Sequence, residues 1–263
     1  MIPGDIVVQT TGEVLDSARD YVRRQVAAFI RRLPWPLVSA RVKLTVFSRA
    51  SGPWAALAQV NLELRDHPVR AQVPVAFLHE AGRLLRLRLA AQVARLTHPD
   101  MPRPWPSETC RGVQPVSHAA RRRAIVRRKS YPLSRCTPDQ AALTMDVMDY
   151  DFHLFTDADT GQDSLIYRVG PTGYRLARLS GMAPPSAPVT VPLTINVHPV
   201  PEATLEQAVA RLTATEMPYQ FFRDHATGRG AVLYRRYDGN YGLLAPAPPD
   251  QERPDAEAIH DGQ

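Results

Sequence analysis

Near the N-terminus the apolar positions switch between a period of two and a period near 3.6. Ile6-Val-Val-Gln-Thr10 reads as a short strand that Gly12 turns. From about Leu15 to Leu33 the apolar residues Leu15, Ala18, Tyr21, Val22, Val26, Phe29, Ile30 and Leu33 follow a helical stripe, which Pro34-Trp35-Pro36 ends. Val38 to Phe47 alternates cleanly, with Val38, Ala40, Val42, Leu44 and Val46 on one side and Arg41, Lys43 and Thr45 on the other. After the turn Ser51-Gly52-Pro53, Trp54–Leu64 and Val69–Val75 read as two more strands, and Phe77–Leu96 as a second amphipathic helix. Its stripe is Leu78, Ala81, Leu85, Leu89, Val93 and Leu96. The order is βαβββα. A sheet with one apolar face needs one cover layer, and the two helices supply it, so residues 1–96 are predicted to form a two-layer α/β sandwich.

Beyond a stretch rich in proline and arginine (97–123) the pattern repeats itself. With an offset of 67 residues, Phe155 falls on Phe222, Asp157 on Asp224, Thr160-Gly161 on Thr227-Gly228, Tyr167-Arg168 on Tyr234-Arg235 and Tyr174 on Tyr241. The same offset puts Thr137 on Thr204, Gln140 on Gln207 and Ala141 on Ala208. One register held over roughly forty residues is an internal repeat. Each copy reads as a strand, a helix and three short strands. In the first, the strand is Ile125–Pro132, the helix runs from the N-cap Thr137 to Met148, and the hairpin strands are Phe152–Thr156, Ser164–Arg168 and Gly173–Leu179. In the second, the strand is Leu193–Val197, the helix Leu205–Ala214, and the hairpin strands Tyr219–Arg223, Ala231–Arg236 and Tyr241–Leu244. The chain is therefore expected to be α+β, with domains at 1–96, 124–181 and 193–246, linkers at 97–123 and 182–192, and a disordered acidic tail from 247 to 263.

Charge divides along the same lines. Residues 1–96 hold 14 Lys+Arg against 7 Asp+Glu, residues 97–135 hold 9 against 2, and residues 136–263 hold 9 against 17, within a net charge of +6. The basic part suits a polyanion; the acidic part does not. Only Lys43 and Lys129 are lysines. Arginine favours bidentate phosphate contact, although a GC-rich genome gives the same preference.

Candidate chemistry is sparse. Asp157-Ala-Asp159-Thr-Gly161-Gln-Asp163 resembles the start of a calcium loop, but its glycine is one position early and Arg168 stands at the twelfth position, so the reading is a hairpin turn. The eight histidines show no ligand spacing, and there is no P-loop, dinucleotide fingerprint or nucleophile elbow. Cys110 and Cys136 are too few for a disulfide framework and suit a reducing cytoplasm; Cys136 as a lone thiol at a helix start lacks a base. There is no apolar run of membrane length, and the first residues do not read as a secretion signal. A cytoplasmic protein that is not an enzyme, with no cofactor and no metal, is expected.

The arginines of the first unit are the candidate site. Arg23, Arg24, Arg31, Arg83 and Arg86 come from two helices on one side of one sheet, with Asp16, Asp20 and Glu80 to offset them. A solvated helix face explains any one of them; the set points to phosphate. Arg41, Lys43 and Arg70 on the open sheet face form a second candidate. Without paired aromatics, the unit should recognise folded RNA shape rather than single-stranded sequence. The repeat's aromatics (Phe152, Phe155, Tyr167, Tyr174 and Tyr219, Phe222, Tyr234, Tyr241) are expected to pack, and to pair one copy with the other, because units this small bury too little surface alone.

The first copy, Ile125-Val-Arg…Pro138…Ala141…Met145…Asp151-Phe-His-Leu-Phe155…Thr160-Gly161…Ile166-Tyr-Arg168…Gly173-Tyr174, resembles the C-terminal domain of long-form ribosome hibernation promoting factors. The second copy, through Thr227-Gly228…Val232-Leu-Tyr-Arg235…Asp238-Gly-Asn-Tyr-Gly242, resembles it at least as closely. The βαβββα order of residues 1–96 is similar to that family's ribosome-binding domain. The resemblance implies binding to the small ribosomal subunit, to 16S rRNA and proteins over the mRNA path and the A and P sites, with translation blocked and idle ribosomes protected in stress. It implies rRNA contacts at Arg23, Arg24, Arg31, Arg32, Arg83, Arg86 and Arg95, with Lys43 beside them. The family's C-terminal domain forms a homodimer that joins two ribosomes. Here two such domains share one chain, so pairing within the chain is expected, on single ribosomes. By composition the chain looks like the family's dormancy-associated variants in high-GC actinobacteria. The competing reading is an RNA-binding regulator whose tandem C-terminal domains recruit a protein partner.

Overall fold

The computed structural model describes residues 6–48, 54–65, 67–97, 123–169, 173–215 and 217–248. The Ser51-Gly52-Pro53 turn, most of the 97–123 linker with Cys110, and the tail beyond residue 248 lie outside them.

The N-terminal domain runs β1 (Ile6–Thr11), α1 (Asp16–Ile30), β2 (Leu37–Val46), β3 (Ala56–Leu64), β4 (His67–Val75) and α2 (Leu78–Thr97). The sheet order is β1-β2-β3-β4, with β1 parallel to β2 and the other pairs antiparallel. Alternation does what the pattern requires: every second residue of β3, from Ala56 to Leu64, is buried. The core joins Val22, Val26 and Ile30 of α1 and Ala81, Leu85 and Leu89 of α2 to Val42, Leu44, Val60, Leu62, Ala71 and Val73 of the sheet. Each such aliphatic side chain contributes about 1.5–3 kcal/mol by leaving water. The helices meet at Gly82, where a Cβ would stand 2.9 Å from both Gln25 and Tyr21. Only glycine permits that approach, so Gly82 sets the spacing of the helix layer.

The repeat units contain β5 (Ile125–Tyr131), β6 (Arg135–Cys136), α3 (Pro138–Val147), β7 (Phe152–Asp157), β8 (Asp163–Val169) and β9 (Gly173–Arg178), then β10 (Leu193–Ile195), β11 (Glu202–Ala203), α4 (Leu205–Ala214), β12 (Tyr219–Asp224), β13 (Gly230–Arg235) and β14 (Tyr241–Pro246). Both helices start on a capping box: Thr137 with Gln140, and Thr204 with Gln207. The shared Tyr-Arg pair closes the helix from the other end. Arg235 donates to the carbonyls of Leu212 and Thr215 at the end of α4, while Arg168 pairs with Asp146 in α3. The two short strands β6 and β11 escaped the sequence reading; two residues carry no period.

The main departure concerns β5 and β10. The repeat assigns β5 to the first unit and β10 to the second. In the structure the sheets read β10-β9-β8-β7-β6 and β11-β12-β13-β14-β5. Each unit's first strand runs parallel to the last strand of the other unit: Arg127 lies opposite Gly242, and Thr194 opposite Arg175. The exchange is reciprocal and obeys the 67-residue offset. The connection to the next strand is three residues after β5 and six after β10, and both strands reach the neighbouring sheet edge all the same.

The Asp157 turn is a turn. Gly161 and Gly228 take φ of +69° and +67°, and Asp157 accepts from the Asp159 backbone N–H at 3.0 Å and from Arg178 Nε at 2.8 Å. The Asp157 carboxylate is thus paired with Arg178. No helix among the described residues is long and apolar enough to cross a membrane.

Candidate functional site

Six of the proposed RNA-contact residues share one layer. Arg23 and Arg24 are exposed on α1, Arg31 and Arg32 are exposed at its end, and Arg83 and Arg86 are exposed on α2. The acids of α1 are occupied elsewhere, since Arg19 reaches Asp16 at 3.1 Å and Asp20 at 3.5 Å. Among the described residues, none of the six arginines has an ion-pair partner. The layer therefore presents six guanidinium groups without an ion-pair partner among the described residues, a charge pattern that suits phosphate.

Two residues of the set lie elsewhere. Lys43 is half-buried on the opposite sheet face, because Val42 and Leu44 point to the helices. Arg95 is 9% exposed and turned inward, donating to Gln92 Oε1 at 2.6 Å and to the Asp146 carbonyl at 3.3 Å. Its helical position suggested an outward side chain; packing of α3 against α2 reverses that, and Arg95 belongs to the junction between domains.

That junction is polar and closely made. Asp149 closes α3 in the left-handed region (φ 52°), accepts from Arg88 Nη1 at 2.9 and 2.8 Å, and accepts from the Gln72 backbone N–H on the β4 edge at 2.9 Å. Asp146 is fully buried. It accepts from the Tyr174 hydroxyl at 2.7 Å and pairs with Arg168. Burial lifts its carboxyl from 3.8 to about 6, against the pull of Arg168 and Arg95. The folded chain then holds this proton more tightly than the unfolded chain. The Asp146 contribution to stability is greatest below pH 3.8 and is lost as pH rises through about 6, above which it is constant. Asp146→Asn should remove this slope. Unfolding free energies of the two proteins at pH 4 to 7 check it, and curves that stay parallel refute it.

The aromatics of the repeat divide by strand alternation. Phe152 lies 4.6 Å from Tyr219 and 6.0 Å from Tyr234, and Tyr167 lies 5.9 Å from Tyr219, each contact crossing between units. Phe155 and Tyr174 instead pack with Met145 beneath α3, and Phe222 and Tyr241 with Leu212 beneath α4. Those four are core residues of their own units, because neighbours on a strand face opposite ways. The face between the sheets is completed by Leu154, Leu165, Ala177, Phe221 and Val232, which the sequence reading overlooked. A signal was present. Leu165-Ile166-Tyr167 and Val232-Leu233-Tyr234 are apolar on both faces, as strands buried on both sides are.

As with Phe152 and Tyr219, equivalent positions of the two copies meet again at Asp163. Asp163 corresponds to Gly230, and the Asp163 carboxylate accepts from the Gly230 backbone N–H at 2.8 Å. Arg229 adds two bonds to it, at 2.7 and 3.0 Å. A Cβ on Gly230 would lie 2.9 Å from the Asp163 Cβ. One copy must carry the carboxylate and the other must lack a side chain. Burial raises the Cys136 thiol above its ordinary value.

A family model described as "Sigma 54 modulation/S30EA ribosomal protein C terminus" matches the chain twice, over residues 120–176 and 195–243. The "Dormancy associated translation inhibitor" of Mycobacterium tuberculosis, in strain CDC 1551 and in strain H37Rv, is 45% identical over 214 residues, covering 79% of this chain and 76% of the relative. The chain belongs to the long-form ribosome hibernation promoting factor family. Among solved structures, the Thermus thermophilus Protein Y N-terminal domain is 28% identical over 35% of this chain and 98% of its own, with a TM-score of 0.29. A ribosomal subunit interface protein from Coxiella burnetii is 13% identical over the same shares, with a TM-score of 0.28. Within the family this chain carries the C-terminal domain in duplicate, and the βαβββα domain that bears the arginine layer precedes both copies.

Proposed function

We propose that the protein is a translation inhibitor of the cytoplasm that places its N-terminal domain on the small ribosomal subunit, over the mRNA path and the A and P sites. It silences single ribosomes while its two C-terminal domains stay paired with each other inside the chain. The translation inhibitor relatives support the first part, as do six arginines on one helix layer with no ion-pair partner among the described residues, a pattern that suits phosphate. The observation that carries the second part is the meeting of Asp163 with Gly230. In a pair of identical first units Asp163 would face Asp163, with β-carbons too close and two buried like charges. The first copy fits the second better than it fits itself, and a short linker gives a partner in the same chain an effective concentration in the millimolar range. Sucrose-gradient sedimentation of 70S ribosomes with the full-length protein tests this. The protein should travel with a 70S peak; a ribosome-dimer peak that grows with added protein overturns intrachain pairing.

A further inference from the structure

β5 carries Arg127, Arg128 and Lys129 in a row, and the strand exchange sets this basic strand on the edge of the acidic second unit. Alternation divides the three. Arg128 is exposed, while Arg127 and Lys129 are half-buried and share one face of the strand with Tyr131. From the N-terminal domain, Arg70 of β4 is near enough for its charge to act on Lys129. It donates to the Met148 carbonyl at 3.1 Å, and its guanidinium lies 5.2 Å from the centre of the Tyr150 ring. Burial first, and then the nearby cations Arg127 and Arg70, draw the Lys129 ammonium from 10.5 to about 8. Among the described residues no carboxylate pairs with Arg127, Arg128 or Lys129. Cations gathered and partly desolvated without a counter-charge are stabilised by an anion.

The repeat supplies its own comparison. β10 holds the equivalent place on the other sheet, where Thr194 stands for Arg127 and Asn196 for Lys129. Both are satisfied locally. Thr194 Oγ1 donates to the Tyr174 carbonyl at 3.1 Å, and Asn196 Nδ2 to the His198 carbonyl at 3.0 Å. The cation at that edge, Arg175, donates to Thr194. Strand pairing at this position therefore proceeds without Arg127 and Lys129. Protection of an exposed sheet edge accounts for Arg128, but not for two half-buried cations set beside a third.

We infer that the seam of Arg127, Lys129 and Arg70 is a second polyanion site, and that it holds the phosphate backbone of an RNA strand. The inference rests on the ribosome-binding reading and deepens it. Arg70 stands on the open face of the N-terminal sheet and the six helix arginines on the covered face. An RNA body that takes the domain into a cleft therefore touches both sites.

The test replaces Arg127→Thr and Lys129→Asn together, the residues that the other copy uses, in the full-length chain. Binding to purified 30S subunits is measured across a salt series beside wild type and the Arg83→Glu/Arg86→Glu chain. The seam variant should melt like wild type and bind about tenfold more weakly at near-physiological salt. The slope of log affinity against log salt should fall by about 1.4 to 1.8, as two phosphate contacts require. If the seam variant keeps wild-type affinity and slope while the helix variant loses binding, the seam is wrong and the ribosome reading stands. If both variants bind like wild type, both fall. If the seam variant loses only binding of inorganic polyphosphate, with 30S binding unchanged, the RNA assignment is overturned. Should the double variant misfold, Lys129→Gln alone carries the test, with about a threefold loss expected and an unchanged affinity against it.

Discussion

Arg83→Glu with Arg86→Glu should remove binding to the small ribosomal subunit, by a factor of about a hundred or more at near-physiological salt. Both side chains are exposed on α2 and neither has an ion-pair partner among the described residues, so the exchange leaves the core alone. Two phosphate contacts disappear and two carboxylates take their place, and like-charge juxtaposition costs several kcal/mol. The variant should melt with the wild type, which separates lost binding from lost fold. Pelleting with 30S subunits reads the result. Binding within a few-fold of wild type would mean that the helix layer is only a solvated face.

Gly230→Asp should destabilise the paired C-terminal units by about 3 kcal/mol or more. The new Cβ enters a space 2.9 Å from Asp163 Cβ and equally close to the Phe221 ring. The new carboxylate is buried against the one already there, and Asp163 is the acceptor for Gly230 N–H and Arg229. For a protein of this size the melting temperature should fall by roughly 6–12 °C. The reciprocal exchange, Asp163→Gly with Gly230→Asp, restores the room but not the pair with Arg229, because Gln162 stands at the position equivalent to Arg229. It should melt between the two. A Gly230→Asp protein that melts like wild type would refute the pairing face.

Periodicity made much of this protein legible. The alternation of Val42 and Leu44 against Arg41 and Lys43 determines which face of the N-terminal sheet is buried, since a strand has only two faces. The stripe of Ala81, Leu85 and Leu89 determines that Arg83 and Arg86 face outward. Thr137 and Thr204 with their glutamines start the helices from local hydrogen bonds alone, and the doubled motif by itself counts the units. These features depend on neighbours a few residues away, and the chain order contains them.

Tertiary structure decided the rest. The repeat makes β5 and β10 equivalent, so their sequences cannot say whether each completes its own sheet or its neighbour's. The meeting of the two units' sheet edges decides that. Arg95 has the helical position of a solvent-facing residue and is turned inward because α3 packs on α2. Asp163 looked like part of a turn and became the contact between units, because only the packed pair brings it to Gly230. In each case the deciding neighbour lies dozens of residues away, and its distance was fixed by packing rather than by period.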